Sequence, residues 1–207
     1  MPDTLHDAGE IAAIVLAAGA SSRFGADKLL HPVTLRGVTL PLAAHSLLPW
    51  LDTFAHVTVV IKPGAEKFCS AMATALGATK AAQIRWTVCA GSVQGMAASL
   101  VSGVRANHDA AAWLVGLADM PSVPAQAIVE VHNALTAGAA LAAPFCAGRR
   151  GHPVGFARHY RDELLSLQGD AGARRLLERD KENVVKVEIG NTGIFTDIDT
   201  PGDLQRL

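Results

Sequence analysis

Charge is scarce in this chain, and so are aromatic rings. Of 207 residues, 18% are charged and 5% aromatic, whereas an ordinary globular domain is about 25% charged. Neither sign dominates, with 18 basic against 19 acidic residues and a net charge of −1. A protein that tracks a nucleic-acid backbone needs a basic excess to displace counterions, so no nucleic-acid polymer is expected as a partner. No apolar run approaches the roughly 20 residues that span a bilayer, so no membrane is expected either. Cysteine is limited to Cys69, Cys89 and Cys146, with no CxxC pair. That spacing excludes a disulfide framework and a cysteine zinc site. Basic and apolar signal-type regions are missing from residues 1–10, which carry Asp3, Asp7 and Glu10. They read as a short leader ahead of one domain over 11–207, and a cytoplasmic protein is expected.

Apolar residues, by contrast, make up 50% of the chain, and alanine supplies most of the excess. A core-rich chain of this kind is not disordered. Its apolar runs alternate between two periods. Residues 11–16, 57–61, 84–88, 111–117 and 140–144 read as strands buried on both faces. Residues 41–50, 65–76, 96–105 and 124–135 read as helices between them. Alternating strands and helices build right-handed βαβ units and a mainly parallel sheet. Past 145 the rhythm breaks. Residues 149–153 read as a turn, 160–167 and 173–179 as helices, 184–189 and 194–198 as strands, and 201–207 as a terminal helix. The expected fold class is α/β, a Rossmann-like three-layer sandwich with a mostly parallel mixed sheet. Ligands in such folds bind beyond the carboxyl ends of the strands.

Two strand ends carry chemistry. After the first strand runs Leu16-Ala17-Ala18-Gly19-Ala20-Ser21-Ser22-Arg23-Phe24-Gly25-Ala26-Asp27-Lys28. Small residues let backbone N–H groups approach an anion, Arg23 offers a planar fork, and Lys28 offers a point charge. The combination suits a triphosphate. It is not a P-loop, because five residues separate Gly19 from Gly25 and no Lys-Ser/Thr follows; nor is it a GxGxxG dinucleotide turn. The plain alternative is a βα loop whose glycines only make turns. After the fourth strand stands Asp119, before Met120-Pro121. A carboxylate there serves either as a Mg²⁺ ligand beside phosphates or as a cap for the next helix. Late in the chain, Asp197 and Asp199 share one face if extended. Asp199-Thr200-Pro201 is also a helix-start pattern, which favours Asp197 as the partner of Asp119. Asp203 reads as a solvated residue within the terminal helix.

These segments resemble the nucleotidyltransferases that process molybdenum cofactor, the MobA-like NTP transferases, and within them the molybdenum cofactor cytidylyltransferase branch. The pattern LAAGxSxRMGxxK stands as Leu16 to Lys28 with Phe24 for Met. GMSxSL stands as Gly95-Met96-Ala97-Ala98-Ser99-Leu100, and GDMP as Ala118-Asp119-Met120-Pro121. GHPVxF stands as Gly151-His152-Pro153-Val154-Gly155-Phe156, GDxGAR as Gly169-Asp170-Ala171-Gly172-Ala173-Arg174, and DIDTPEDL as Asp197 to Leu204. The resemblance implies a nucleotide-diphospho-sugar transferase type of fold, with its nucleotide part over about 11–122 and its acceptor part over about 123–207. It implies a nucleotide held by Leu16, Ala17, Ala18, Gly19, Ser21, Ser22, Arg23, Gly25, Lys28, Gly95 and Ser99. Arg23, Lys28 and Asp119 would be catalytic. Mg²⁺ would sit on Asp119 with Asp197 or Asp199. The acceptor would lie on Gly151, His152, Pro153, Gly169, Asp170 and Arg174.

Leu-Ala-Ala-Gly is similar to the cytidine-using branch, where a guanosine-using relative has Leu-Ala-Gly-Gly. The implied reaction transfers CMP from CTP to the terminal phosphate of a molybdopterin-type acceptor, for delivery to a molybdoenzyme. The alternatives are GTP, a sugar phosphate or methylerythritol phosphate as substrate, or a non-catalytic nucleotide-binding maturation partner. Arg149, Arg150, Arg174 and Arg175 either steer an anionic acceptor or form a solvated rim. Cys146 is read as a small core residue or, less simply, as a contact to the molybdenum dithiolene. Trp50, Trp86 and Trp113 are expected in the core.

Overall fold

Buried apolar runs with period two and period 3.6 become strands and helices in turn. A computed structural model of the chain describes residues 9–19, 24, 27–169 and 172–207. In order, the elements are β1 (Ile11–Leu16), β2 (Pro32–Leu35), β3 (Val38–Pro41), α1 (Leu42–Thr53), β4 (Val57–Ile61) and α2 (Glu66–Ala81). Then come β5 (Ile84–Val88), α3 (Met96–Ala106), β6 (Ala112–Leu117), α4 (Ala125–Thr136) and β7 (Leu141–Cys146). The last part holds β8 (Arg149–Arg150), β9 (Val154–Ala157), α5 (Arg161–Leu165), α6 (Arg174–Arg179) and β10 (Val184–Glu188). Short 3₁₀ turns occupy Lys28–Leu30, Thr192–Phe195 and Pro201–Arg206, among others.

The main sheet has the order β10-β7-β9-β6-β1-β4-β5, with β8 paired to β7. β1 lies parallel to both β4 and β6, β4 to β5, and β7 to β10. β9 runs antiparallel to its neighbours β6 and β7. Side chains alternate across β1: Ala13 and Val15 enter one core with α1, α2 and α4, while Ile14 enters the other with α3, α5 and α6. That is the expected α/β three-layer sandwich with a mostly parallel mixed sheet. Trp113 is fully buried and its Nε1 donates to the Asn107 carbonyl at 2.9 Å, while Trp50 is 2% exposed. Trp86 is partly buried and meets the Phe68 ring edge-on. Among the described residues no helix is long and apolar enough to cross a membrane.

Several local expectations are corrected. Pro41 is the last residue of β3 and not part of the helix that follows. A two-stranded hairpin, β2 and β3, precedes that helix and turns through Arg36 and Gly37, both at positive φ. α2 is interrupted at Gly77 (φ 78°), where its end was expected, and what the sequence did not show is the further turn that runs on to Ala81. The segment read as a turn over 149–153 contains β8, and β9 follows it. The expected strand over 194–198 is instead the 3₁₀ turn Thr192–Phe195 followed by irregular chain. Asn191 is the reason, because its side-chain oxygen accepts from the Gly193 N–H at 2.7 Å and bends the backbone.

All the parallel strands end on one edge. The chain moves outward from β1 to β4 and β5, then returns to the other side of β1 with β6. A crevice opens past strand ends where the order reverses in this way. The ends of β1 and β6, at Leu16 and Leu117, face that crevice.

Candidate functional site

Backbone hydrogen bonds bring three distant segments to the crevice. The Ala17 N–H donates to the Val60 carbonyl, and the Ala118 N–H donates to the Leu16 carbonyl at 3.0 Å. These bonds continue the sheet one residue past its strands and bury Ala17 and Ala18. The Ile198 N–H then donates to the Asp119 carbonyl at 3.0 Å, which ties the 197–199 segment to the end of β6.

Lys28 lies at the centre. It opens the 3₁₀ turn Lys28–Leu30 and is only 6% exposed. Its Nζ donates to Asp119 Oδ2 at 2.8 Å and to Asp199 Oδ1 at 3.2 Å. Burial acts on the ammonium most strongly and disfavours its charge, but Asp119 and Asp199 together outweigh it and raise the Lys28 pKa. Burial likewise lifts the Asp119 carboxyl above the usual carboxylate range. Lys28 returns part of that cost, and the nearby Asp197 adds to it. One oxygen of Asp119 is satisfied by Lys28. The other, Oδ1, is buried and has no hydrogen-bond donor among the described residues.

That orphaned oxygen bears on the metal question. A buried carboxylate oxygen without a donor is costly unless a cation or a proton reaches it. Hard carboxylate oxygens suit Mg²⁺, which takes one or two carboxylates and completes its shell with phosphates and water. Among the described residues no cluster of three or more His, Cys, Asp or Glu side chains forms an all-protein cage. Asp119 and Asp199 therefore fit a metal shared with a phosphorylated substrate.

Asp199, and not the sequence-favoured Asp197, is the carboxylate brought to Lys28 and Asp119. Asp197 is exposed, and its carbonyl accepts from Arg206. The helix-start signal belongs instead to Thr200 and Asp203, which form a capping box. Asp203 is not a freely solvated residue. Its Oδ2 accepts from the Asp199 and Thr200 N–H groups at 3.0 and 2.7 Å, and these bonds hold its carboxyl below the usual range. Asp203 thereby sets the backbone from which the Asp199 side chain meets Lys28. Thr200 three residues before Asp203 was the legible signal for this role.

Of the remaining candidates, Ser21, Ser22, Arg23 and Gly25 lie outside the described residues, as does Asp170. Gly19 is exposed, with open space where a side chain would stand. Phe24 is buried, and its ring meets His31 edge-on at 5.3 Å. Gly95 caps α3 at φ 106°, and Ser99 is buried one turn into that helix. The Gly169 carbonyl accepts from the Ala97 N–H at 3.1 Å, joining the loop before α6 to the start of α3. Arg174 is exposed and its Nε donates to Glu178 at 2.7 Å.

Gly151, His152 and Pro153 follow β8, and the His152–Pro153 bond is cis. A Cβ on Gly151 would stand 2.5 Å from the Ile194 carbonyl oxygen, so this strand lies directly on the 192–195 turn. The His152 N–H donates to that same carbonyl at 3.0 Å. His152 Nδ1 is buried without a partner among the described residues. Burial, reinforced by Arg150 and opposed by Asp197, depresses the imidazole pKa to about 4, so His152 is neutral at pH 7.

A sheet of this order, with its charged groups gathered past the ends of two central strands, is the layout of a nucleotidyltransferase. The family can be stated more closely. The sequence model of the MobA-like NTP transferase domain matches residues 13–184, and the chain belongs to that family. No curated protein matches it in sequence. Among solved structures it is similar to Rv0371c from Mycobacterium tuberculosis H37Rv (25% identity, 97% of each chain, TM-score 0.78). Another structure of Rv0371c is a complex with manganese (24% identity, 97% of this chain and 98% of that one, TM-score 0.75). The chain also resembles molybdopterin-guanine dinucleotide biosynthesis protein A from Archaeoglobus fulgidus (22% identity, 95% and 96% coverage, TM-score 0.61).

Proposed function

We propose that this nucleotidyltransferase transfers CMP from CTP to the terminal phosphate of a molybdopterin-type acceptor and releases pyrophosphate. One observation carries the catalytic part of the reading: Lys28 is buried at the crevice between Asp119 and Asp199, and Asp119 keeps an oxygen without a donor among the described residues. The cytidine assignment rests on Ala17-Ala18 before Gly19, and the acceptor assignment on the segments 151–156 and 169–174.

In the reaction, an oxygen of the acceptor phosphate attacks the α-phosphorus of CTP in line. A P–O bond forms to the acceptor as the bond to the β-phosphate oxygen breaks, and pyrophosphate departs with the electron pair. A phosphate monoester is already ionised at pH 7, so no side chain need remove a proton. The protein supplies position and charge, as in other phosphoryl-type transfers. Lys28 turns from the carboxylates to the α-phosphate and the leaving group, with Arg23 as a second cation. Asp119 and Asp199 would hold Mg²⁺, whose contribution when bound is to neutralise phosphate oxygens. Asp203 keeps Asp199 in place through its backbone. The manganese of the Rv0371c complex is a property of that protein, and it accords with a divalent ion here.

Thermal unfolding with CTP, GTP, ATP and UTP, each with Mg²⁺, tests the nucleotide. A ligand at a hundredfold excess over its Kd adds about 2.7 kcal/mol, or roughly 5–10 °C for a domain of this size. CTP is expected to give the largest shift. A larger shift with GTP would make the chain a guanosine-using transferase.

A further inference from the structure

Arg150 is half-buried and has no hydrogen bond or ion pair among the described residues. Among the described arginines it is the one that is both withdrawn from solvent and unpartnered. Arg161 is also partly withdrawn but donates to Asp162. Burial disfavours the Arg150 charge; Glu178 offsets part of that cost, and Arg174 adds repulsion. Glu178 is already engaged by Arg174 Nε, whose two terminal nitrogens donate to nothing among the described residues.

The backbone around Arg150 is fixed on both sides. β7 and β8 join through Ala147 and Gly148, both left-handed at φ 50° and 77°, which is the two-residue hairpin geometry that fits the twist of paired strands. Phe145 pairs with Arg150, and Cys146 with Arg149. Beyond Arg150, Gly151 presses on the 192–195 turn. Neighbouring residues of a strand point to opposite faces. The Arg149 guanidinium stands over the Phe195 ring, 4.3 Å from its centroid. Arg150 therefore faces the other way, toward the helix that bears Arg174 and Glu178. The loop before that helix is stitched to the first turn of α3 through Gly169 and Ala97. β8 lies beside the last two residues of β7, at the carboxyl edge of the sheet where Asp119 follows β6.

We infer that Arg150, with Arg174 beside it, forms an anion subsite that receives a phosphate-type group of the second substrate. A guanidinium carried on a fixed backbone, with its fork unpartnered among the described residues and a second cation on the helix it faces, matches a doubly charged oxyanion and can grip it through two parallel N–H donors. The inference rests on the reading of the chain as a transferase to a phosphorylated acceptor. It assigns the acceptor's charge to β8 and α6, whereas Lys28 serves the nucleotide.

The test uses full-length wild type, Arg150→Gln and Arg150→Lys. Inorganic phosphate is titrated calorimetrically into each protein saturated with CTP and Mg²⁺, and pyrophosphate release is followed with CTP and molybdopterin. Arg150→Gln is expected to weaken phosphate binding and raise the acceptor KM about tenfold or more. The CTP affinity and the fold should stay unchanged, and Arg150→Lys should recover part of the loss. Unchanged phosphate binding in Arg150→Gln, no phosphate binding by wild type, or an equal loss of CTP affinity would each overturn the subsite. Phosphate binding that depends on Arg150, found with no turnover of molybdopterin by wild type, keeps the subsite and rejects only the acceptor named above.

Discussion

Replacing Lys28 by Met removes the one positive charge that Asp119 and Asp199 share among the described residues. Removing one partner of a fully buried ion pair costs about 3–5 kcal/mol, because the other is left uncompensated. The Asp119 and Asp199 side chains retain 24% and 31% of their exposure, so water offsets part of this and about 2 kcal/mol is expected. For a chain of this length that lowers Tm by about 4–8 °C. Asp119→Asn should cost less, about 1 kcal/mol, because Lys28 keeps Asp199 at 3.2 Å. The double variant should lose about 2 kcal/mol and not 3, a coupling of about 1 kcal/mol. Urea unfolding of the four proteins gives these values directly. Each single variant should also lower pyrophosphate release about 100-fold or more, the scale of one preorganised charge contact. A Lys28→Met protein as stable as wild type, additive losses in the cycle, or near-wild-type turnover in a folded variant would refute the reasoning.

Asp199→Asn should reduce turnover at least tenfold, while Asp197→Asn, altered at an exposed side chain, should stay within about threefold; parallel kinetics decide between them, and a reversed order would restore Asp197 as the working carboxylate. His152 titrates near 4 in the fold and near 6.5 in the unfolded chain. The unfolded chain therefore binds more protons between those values, and the stability contributed above pH 6.5 is lost as pH falls toward 4. The loss amounts to at most about 3 kcal/mol, and His152→Gln should flatten the acid limb of a urea stability profile; an unchanged limb would contradict the burial of this ring.

The parallel part of the sheet was legible because continuous apolar runs such as 57–61 and 111–117 are what strands buried on both faces require. The β2–β3 hairpin was not. Its turn places Arg36 in a left-handed position where asparagine or aspartate is the usual sign. Ile194 and Ile198 suggested a strand, since a spacing of four puts both on one face of an extended chain. The side chain of Asn191 bends the segment instead, and Ile194 is buried from the 3₁₀ turn and Ile198 from the irregular chain after it. The site followed the same pattern. Lys28 and Asp119 could be named from their strand ends, whereas choosing Asp199 over Asp197 needed the capping box at Thr200 and Asp203. That Arg150 has no partner among the described residues is a three-dimensional fact, since it depends on where α6 packs.

Mg²⁺-dependent pyrophosphate release with CTP and molybdopterin is the most direct measurement of the central claim, run beside GTP and beside a sugar phosphate and methylerythritol phosphate as acceptors. The proposed function predicts release with CTP and molybdopterin, abolished by chelation of the metal and by Lys28→Met. Release with another nucleotide or acceptor in preference to these, or none with any combination, would contradict it.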